Sequence, residues 1–294
     1  MKTKAFIYVI IAGIAWGTSG IFVNLLAPYG VTSLQMTALR GTVCFLCLSG
    51  YLLIRDRKFF RATPRQMLLY FCIGTSLFGT ASCYFTAMQM TSIATAVVLM
   101  YTAPILVMIF SVAFLGEKLT KVKAVSVVCM LIGCCLVSGI VGGLQFHIGG
   151  ILLGLLSGIC YSAYNIFTKV AMQKGCHAMT TTVYNSMFMA IIALCVCNPV
   201  GIVTSAAQKP LLIVPLMIAL GLTTFVLPYF LYTLAMRDLP AGTASALSIV
   251  EPMAATVFSV VLFHEAMSVA SVIGIVLILL AVFLLSRDEN ERRS

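Results

Sequence analysis

What limits this chain most is a recurring length: apolar runs of about 18–24 residues, without strand-like alternation, follow one another from end to end. At 1.5 Å per helical residue, such a run crosses a hydrocarbon core of roughly 30 Å. The runs fall at 5–26, 34–54, 67–89, 93–115, 122–141, 149–172, 181–203, 211–235, 241–263 and 268–286. Loops between them are short, and Pro28-Tyr29-Gly30, Gly142-Gly143 and Leu239-Pro240 supply breaker signals. Composition agrees, with 61% hydrophobic residues and only 9% charged, against roughly 25% charged in soluble domains. Lipid must surround most of the chain. Lipid offers backbone groups no partners, so only helices or a closed barrel can cross it. Run length selects helices, and the expected fold is all-α and integral to the membrane.

The net charge of +10 is an orientation signal. Suppose the N-terminus is cytoplasmic and ten spans follow. Sixteen of the eighteen Lys and Arg then border cytoplasmic loops: Lys2, Lys4, Arg55, Arg57, Lys58, Arg61, Arg65, Lys118, Lys121, Lys123, Lys169, Lys174, Arg237, Arg287, Arg292 and Arg293. Only Lys209 lies outside, and Arg40 sits within a span. This asymmetry predicts an even span count with both termini cytoplasmic. No basic helix face carries interleaved aromatics, so nucleic acid is not an expected partner. Of the eleven cysteines, all but Cys176 fall inside spans, where free cysteine behaves as a small hydrophobe. Cys44-x-x-Cys47 lies mid-helix without a second pair, and His147, His177 and His264 stand at separate span ends. No metal or other cofactor is expected. The run after Lys2 and Lys4 is too long for a signal peptide and reads as a retained span.

An internal repeat organises the spans. At an offset of 148, residues 94–117 and 242–265 share Thr95/Thr243, Ala96/Ala244, Leu99/Leu247, Pro104/Pro252, Phe110/Phe258, Ser111/Ser259, Val112/Val260 and Glu117/Glu265. Upstream, Tyr84, Ala87 and Met88 match Tyr232, Ala235 and Met236. The expected units are 1–141 and 142–294, each with five spans. Five is odd, so the halves must be inverted, an architecture that recurs in secondary transporters with a midplane site between the halves.

These residues resemble the drug/metabolite transporter superfamily and its EamA-type ten-helix members. The carriers of the resemblance are Trp16-Gly17, with Gly13 where the family pattern has alanine; Arg40 between Leu39 and Gly41; Leu115-Gly116-Glu117; and the second copy from Glu251-Pro252 to His264-Glu265. His264 stands where many members carry glycine, so the loop backbone is expected to differ there. The resemblance implies a gradient-driven carrier in a bacterial inner membrane, often an exporter of amino acids or related metabolites, and not an enzyme.

Arg40 and Glu251 are the clearly intramembrane charges. Each costs roughly 2.5–3.5 kcal/mol at the bilayer centre unless it faces a partner or a watery cavity. On a functional reading Arg40 orients an anionic group and Glu251 takes a substrate amine or a coupling proton. Alternatively, Arg40 braces its neighbours or snorkels. Trp16, Tyr84, Tyr101, Tyr161, Asn165 and Tyr232 are candidate cavity-lining residues, with packed or interfacial aromatics as the alternative. Pro104 and Pro252 are expected to kink equivalent helices. Gly13-x-x-x-Gly17 and Gly150-x-x-x-Gly154-x-x-x-Gly158 are expected to allow close helix packing. Lys169 is expected to snorkel to the cytoplasmic surface.

The expected partners are a small-molecule substrate, membrane lipid and a coupling proton, with monomer or homodimer left open. No G-x-x-x-x-G-K-[ST] is present, which argues against an ATP-driven pump. A channel is the alternative, distinguished by unsaturable flux. Gly17-Thr18-Ser19-Gly20 matches the short G-x-S-G of rhomboid-type proteases, but a serine nucleophile needs a neighbouring base, and every histidine lies at a span end.

Overall fold

The computed structural model describes residues 2–55, 60–139, 147–264 and 267–291. Arg57, Lys58, the Gly142-Gly143 breaker, Glu265, Arg292 and Arg293 lie outside them. The described residues form helices: α1 Lys2–Gly17, α2 Ser19–Leu26, α3 Ser33–Arg55, α4 Pro64–Met90, α5 Ile93–Met100, α6 Ala103–Leu115, α7 Lys121–Val137, α8 Ile148–Gln173, α9 Ala178–Val196, α10 Pro199–Gln208, α11 Pro210–Gly221, α12 Leu227–Ala235, α13 Ala241–Leu247, α14 Val250–Phe263 and α15 Val269–Glu291. Among the described residues, 9 helical segments are long and apolar enough to cross a membrane, counting α1–α2, α5–α6, α11–α12 and α13–α14 as continuous rods. The remaining crossing is α7, with 17 residues, which packs along α15.

Helix starts follow local chemistry. Thr63 and Gln66 form a reciprocal capping box at α4, and the Thr120 hydroxyl accepts the Lys123 amide at α7. Such caps satisfy N–H groups that have no intrahelical partner. The expected seventh span at 181–203 ends early, at Val196. Asn198 accepts the amides of Val200 and Gly201, and Pro199 at the first position opens α10 as a separate helix.

Two faces are distinct. Gly13 approaches Val250 and Gly17 approaches Ala254, so α1 and α14 run parallel, and the Lys2 end of α1 lies on the side where α13 begins. Glu117, Lys123, Glu289, Phe60 and Cys176 share that side through bonds between their elements. Lys209 stands on the other, over the Tyr29 ring. One face is therefore basic, and both described chain ends belong to it. Helix α5 enters from the opposite face and α13 from the basic face, so the equivalent segments of the two halves are antiparallel.

Glycines set the closest contacts. A Cβ on Gly17 would lie 2.8 Å from that of Ala254, and one on Gly158 3.1 Å from the Leu99 carbonyl oxygen. Both small-residue faces thus serve packing inside the bundle. Outward, Ile54, Leu211 and Val269 are 90%, 95% and 77% exposed, as a lipid-facing surface requires.

Gly116 ends α6 in the left-handed region at φ 65°, and His264 ends α14 there at φ 55°. The backbone at His264 therefore matches its glycine counterpart, and the expected departure is in side chain only. A side chain in this region costs roughly 1 kcal/mol. His264→Gly is expected to raise the Tm of detergent-solubilised protein by a few degrees; a lower Tm would mean that the imidazole makes a compensating bond.

Candidate functional site

The two prolines do more than bend their helices. Pro104 is the second residue of a new helix and Pro252 the third, after a break at Tyr101-Thr102 and at Ser248-Ile249. Proline has no amide to donate and clashes with the preceding turn, so each rod divides near the middle of the bundle. The breaks lie at equivalent places in the repeat. They also meet. The Tyr101 hydroxyl, at the first break, donates to Glu251 Oε2 at 2.8 Å, in the first turn after the second.

Arg40 arrives from α3. Its Nη2 donates to Thr37 Oγ1 at 3.4 Å, and its Nε is buried with no partner. Arg40 and Glu251 lie within electrostatic reach of one another and of Tyr229. No nitrogen–oxygen contact of 4.0 Å or less joins the pair. Both keep part of their surface accessible although aromatic side chains enclose them.

The aromatic wall is continuous. Trp16 lies 5.1 Å from Tyr229 and 5.3 Å from Tyr232, centroid to centroid. Tyr164 contacts Tyr161, Tyr229 and Tyr232. Asn165 holds this wall: its Nδ2 donates to the Tyr161 carbonyl at 2.7 Å, and its Oδ1 accepts the Tyr232 hydroxyl. Both amide atoms are therefore engaged, and Asn165 is fully buried. Tyr84 lies within electrostatic reach of Glu251, with its ring against Phe85. All eight sequence candidates thus gather around one region. Arg40, Glu251 and Tyr84 are partly accessible, whereas Trp16, Tyr101, Tyr161, Asn165 and Tyr232 are buried.

Sequence reasoning missed Tyr229, Tyr164 and Phe225. Tyr229 precedes Tyr232 by three positions and Tyr164 follows Tyr161 by three, a spacing that puts each pair on one helix face. For Tyr229 the repeat offset gave no hint, because its counterpart, residue 81, is alanine, whereas Tyr164 stands at the position equivalent to Trp16. A π-helical turn at Leu222–Val226 separates α11 from α12 and lies one turn before Tyr229. Such turns widen a helix and frequently mark functional sites. Phe225 stacks on Tyr229 at 4.1 Å.

Lys169 does not snorkel. It is 8% exposed, and its Nζ donates to the carbonyls of Met236 at 2.8 Å and Leu239 at 2.6 Å. Backbone carbonyls released where helix α12 ends take two of its donors. Among the described residues no cluster of His, Cys, Asp and Glu is suited to a metal.

The model of the EamA-like transporter family matches residues 3–139 and again 148–287. The chain belongs to the EamA-like transporter family. It is a multi-pass membrane protein of the drug/metabolite transporter superfamily, as the Trp16-Gly17 and Glu117 motifs implied. An uncharacterized transporter of Bacillus subtilis, YwfM, is 26% identical over 98% of this chain and 95% of its own length. The threonine/homoserine exporter RhtA of Escherichia coli K12 is 26% identical, over 83% of this chain and 77% of its own. A solved crystal structure superposes on the whole of both chains with a TM-score of 0.81 at 21% identity, a likeness of fold.

Tyr232→Phe removes the hydroxyl that Asn165 accepts and leaves a buried carbonyl oxygen unpaired. The expected cost is about 1–3 kcal/mol, read as a lower Tm; an unchanged Tm would show that this bond contributes nothing to the wall.

Proposed function

We propose that the protein is a gradient-driven carrier of small zwitterions of the amino-acid class, exporting them by alternating access from a bacterial cytoplasm. The observation that carries this reading is that Arg40 and Glu251 lie within electrostatic reach of one another among aromatic side chains without forming an ion pair. A guanidinium is suited to a carboxylate because its planar donors match the two oxygens. The free Nε of Arg40 is such a donor. Glu251 supplies the complementary charge for an ammonium group, with the Tyr101 hydroxyl fixing one carboxylate oxygen. A zwitterion between them satisfies both charges, which otherwise cost energy at this depth. The aromatic wall accommodates an apolar or hydroxylated side chain.

Several observations support the reading beyond charge. Interrupted helices that meet at the centre of two inverted halves are the recurrent construction of alternating-access carriers. The exporter RhtA is named for threonine and homoserine, both amino acids, and the match extends over most of each chain. On the positive-inside rule the basic face is the cytoplasmic one, and on this reading both described chain ends lie on that side. Glu251 also sits where a proton can replace the ammonium group once the substrate leaves, which supplies a route to coupling. Residues 1–141 and 142–294 act as the two halves that move against each other.

Counterflow in liposomes is the direct test. Vesicles preloaded with unlabelled threonine are expected to accumulate external labelled threonine transiently, with saturation; a panel of other amino acids then ranks the cargo. Flux that is unsaturable and shows no exchange would make the protein a channel. Glu251→Gln is expected to lower transport by about tenfold or more and to flatten its dependence on pH between pH 5 and pH 8. Transport that retains its wild-type rate and pH profile in that variant removes Glu251 from the mechanism. Arg40→Lys keeps the charge but loses the planar donor pair, and is expected to raise KM more than it lowers the maximal rate.

A further inference from the structure

Between the site and the basic face lies the segment 236–243, which joins α12 to α13. Three charged side chains from elsewhere in the fold bond to it, and a fourth pairs with one of them. Lys169 of α8 donates to the carbonyls of Met236 and Leu239. Glu117, in the loop after α6, accepts the Ala241 amide at 2.7 Å and the Gly242 amide at 3.4 Å. Glu289 of α15 accepts the Thr243 hydroxyl at 2.9 Å and pairs with Lys123 of α7 at 2.5 Å. Lys123 and Glu289 are 6% and 2% exposed. Transport chemistry at Arg40 and Glu251 uses none of the four.

The corresponding segment on the opposite face is built differently. Helix α5 caps itself, because the Ser92 hydroxyl accepts the Thr95 amide at 3.1 Å. At the equivalent position, 148 residues later, stands Pro240, and α13 has no side-chain cap of its own. Its free amides are taken by Glu117, from the other half of the chain. Ile93, which opens α5, is 66% exposed, whereas Ala241, which opens α13, is fully buried. The start of α13 is thus held from outside the helix, whereas the start of α5 carries a cap of its own.

We infer that Glu117, Lys123, Lys169 and Glu289 form the gate on the basic face: they hold segment 236–243 across the exit from the Arg40–Glu251 site, and releasing it opens that site to the basic face. The inference rests on the carrier reading for its purpose, but its geometry is independent of the cargo. An ion pair this buried is strongly destabilised when one partner is removed, because the other charge is left uncompensated. The gate is therefore a two-state element, closed while its charges are matched and opened when the halves shift. In an inverted-repeat carrier, opening one face is coupled to closing the other.

That reciprocity supplies the test. Hydrogen exchange is measured by mass spectrometry on the full chain in nanodiscs, for wild type, Glu117→Gln, Glu289→Gln and the reversed pair Lys123→Glu/Glu289→Lys. In the two single variants the amides of 236–247 are expected to exchange at least about tenfold faster, and those of 88–95 more slowly, with α8 unchanged. The reversed pair, which restores the match of charge, is expected to return both segments toward wild-type exchange. Unchanged exchange at 236–247 in both single variants overturns the gate. Faster exchange there without added protection at 88–95 also overturns it, since that is local fraying. Counterflow on the same samples separates the two readings. Reciprocal exchange without amino-acid counterflow keeps the gate and rejects the proposed cargo; counterflow without the exchange pattern does the reverse.

Discussion

Inside a bilayer, a backbone amide or carbonyl released from its helix has no water to bond. Every interruption of a spanning helix must therefore turn inward and find a partner among other helices. This chain interrupts its helices repeatedly, at Thr18, at Tyr101-Thr102, at the π-helical turn over Leu222–Val226 and at Ser248-Ile249. Side chains absorb part of the cost: the Thr18 and Thr102 hydroxyls return to the carbonyls of Ala15 and Leu99, and Ser248 to that of Ser245. Because the breaks face inward, the residues beside them do so as well. Trp16, Tyr101 and Glu251 owe their positions to this constraint more than to the regular helices that surround them.

Close packing makes the inward turn affordable. Gly13 and Gly17 bring α1 against α14, and Gly150, Gly154 and Gly158 bring α8 against α4, α5 and the first break. Small residues let backbones approach where lipid provides no hydrophobic drive between helices. The result is a bundle whose polar groups collect at the centre and at the basic face, while its outer surface is Leu, Ile, Val and Phe.

Much of this was legible in the sequence because it depends on period and symmetry. Run length gave the spans, and the distribution of Lys and Arg gave a basic face that the helix packing reproduces. The 148-residue offset paired the two prolines. Properties that arise from contact between distant elements were not legible. Pro104 and Pro252 signalled bends, but only the packed bundle brings Tyr101 to Glu251 across 150 positions. Lys169 looked like a surface lysine because its partners are backbone carbonyls, which have no residue signature. Tyr229 has alanine as its counterpart in the first half, so the repeat does not mark it, although it shares a helix face with Tyr232. Asn198-Pro199 was read as the continuation of an apolar run, where its capping chemistry ends one helix and begins another.

Two identical halves in inverted orientation would give a molecule whose two arrangements, each facing one side, are related by a two-fold rotation and equal in free energy. Any position at which the halves differ lifts that degeneracy. Ser92 and Pro240 occupy the same place in the repeat, and one provides a cap that the other must borrow. In such a molecule a resting preference for one side is set by mismatches between copies rather than by either copy. Gene duplication followed by drift at such a position can reset where the molecule rests without altering a single atom of what it recognises.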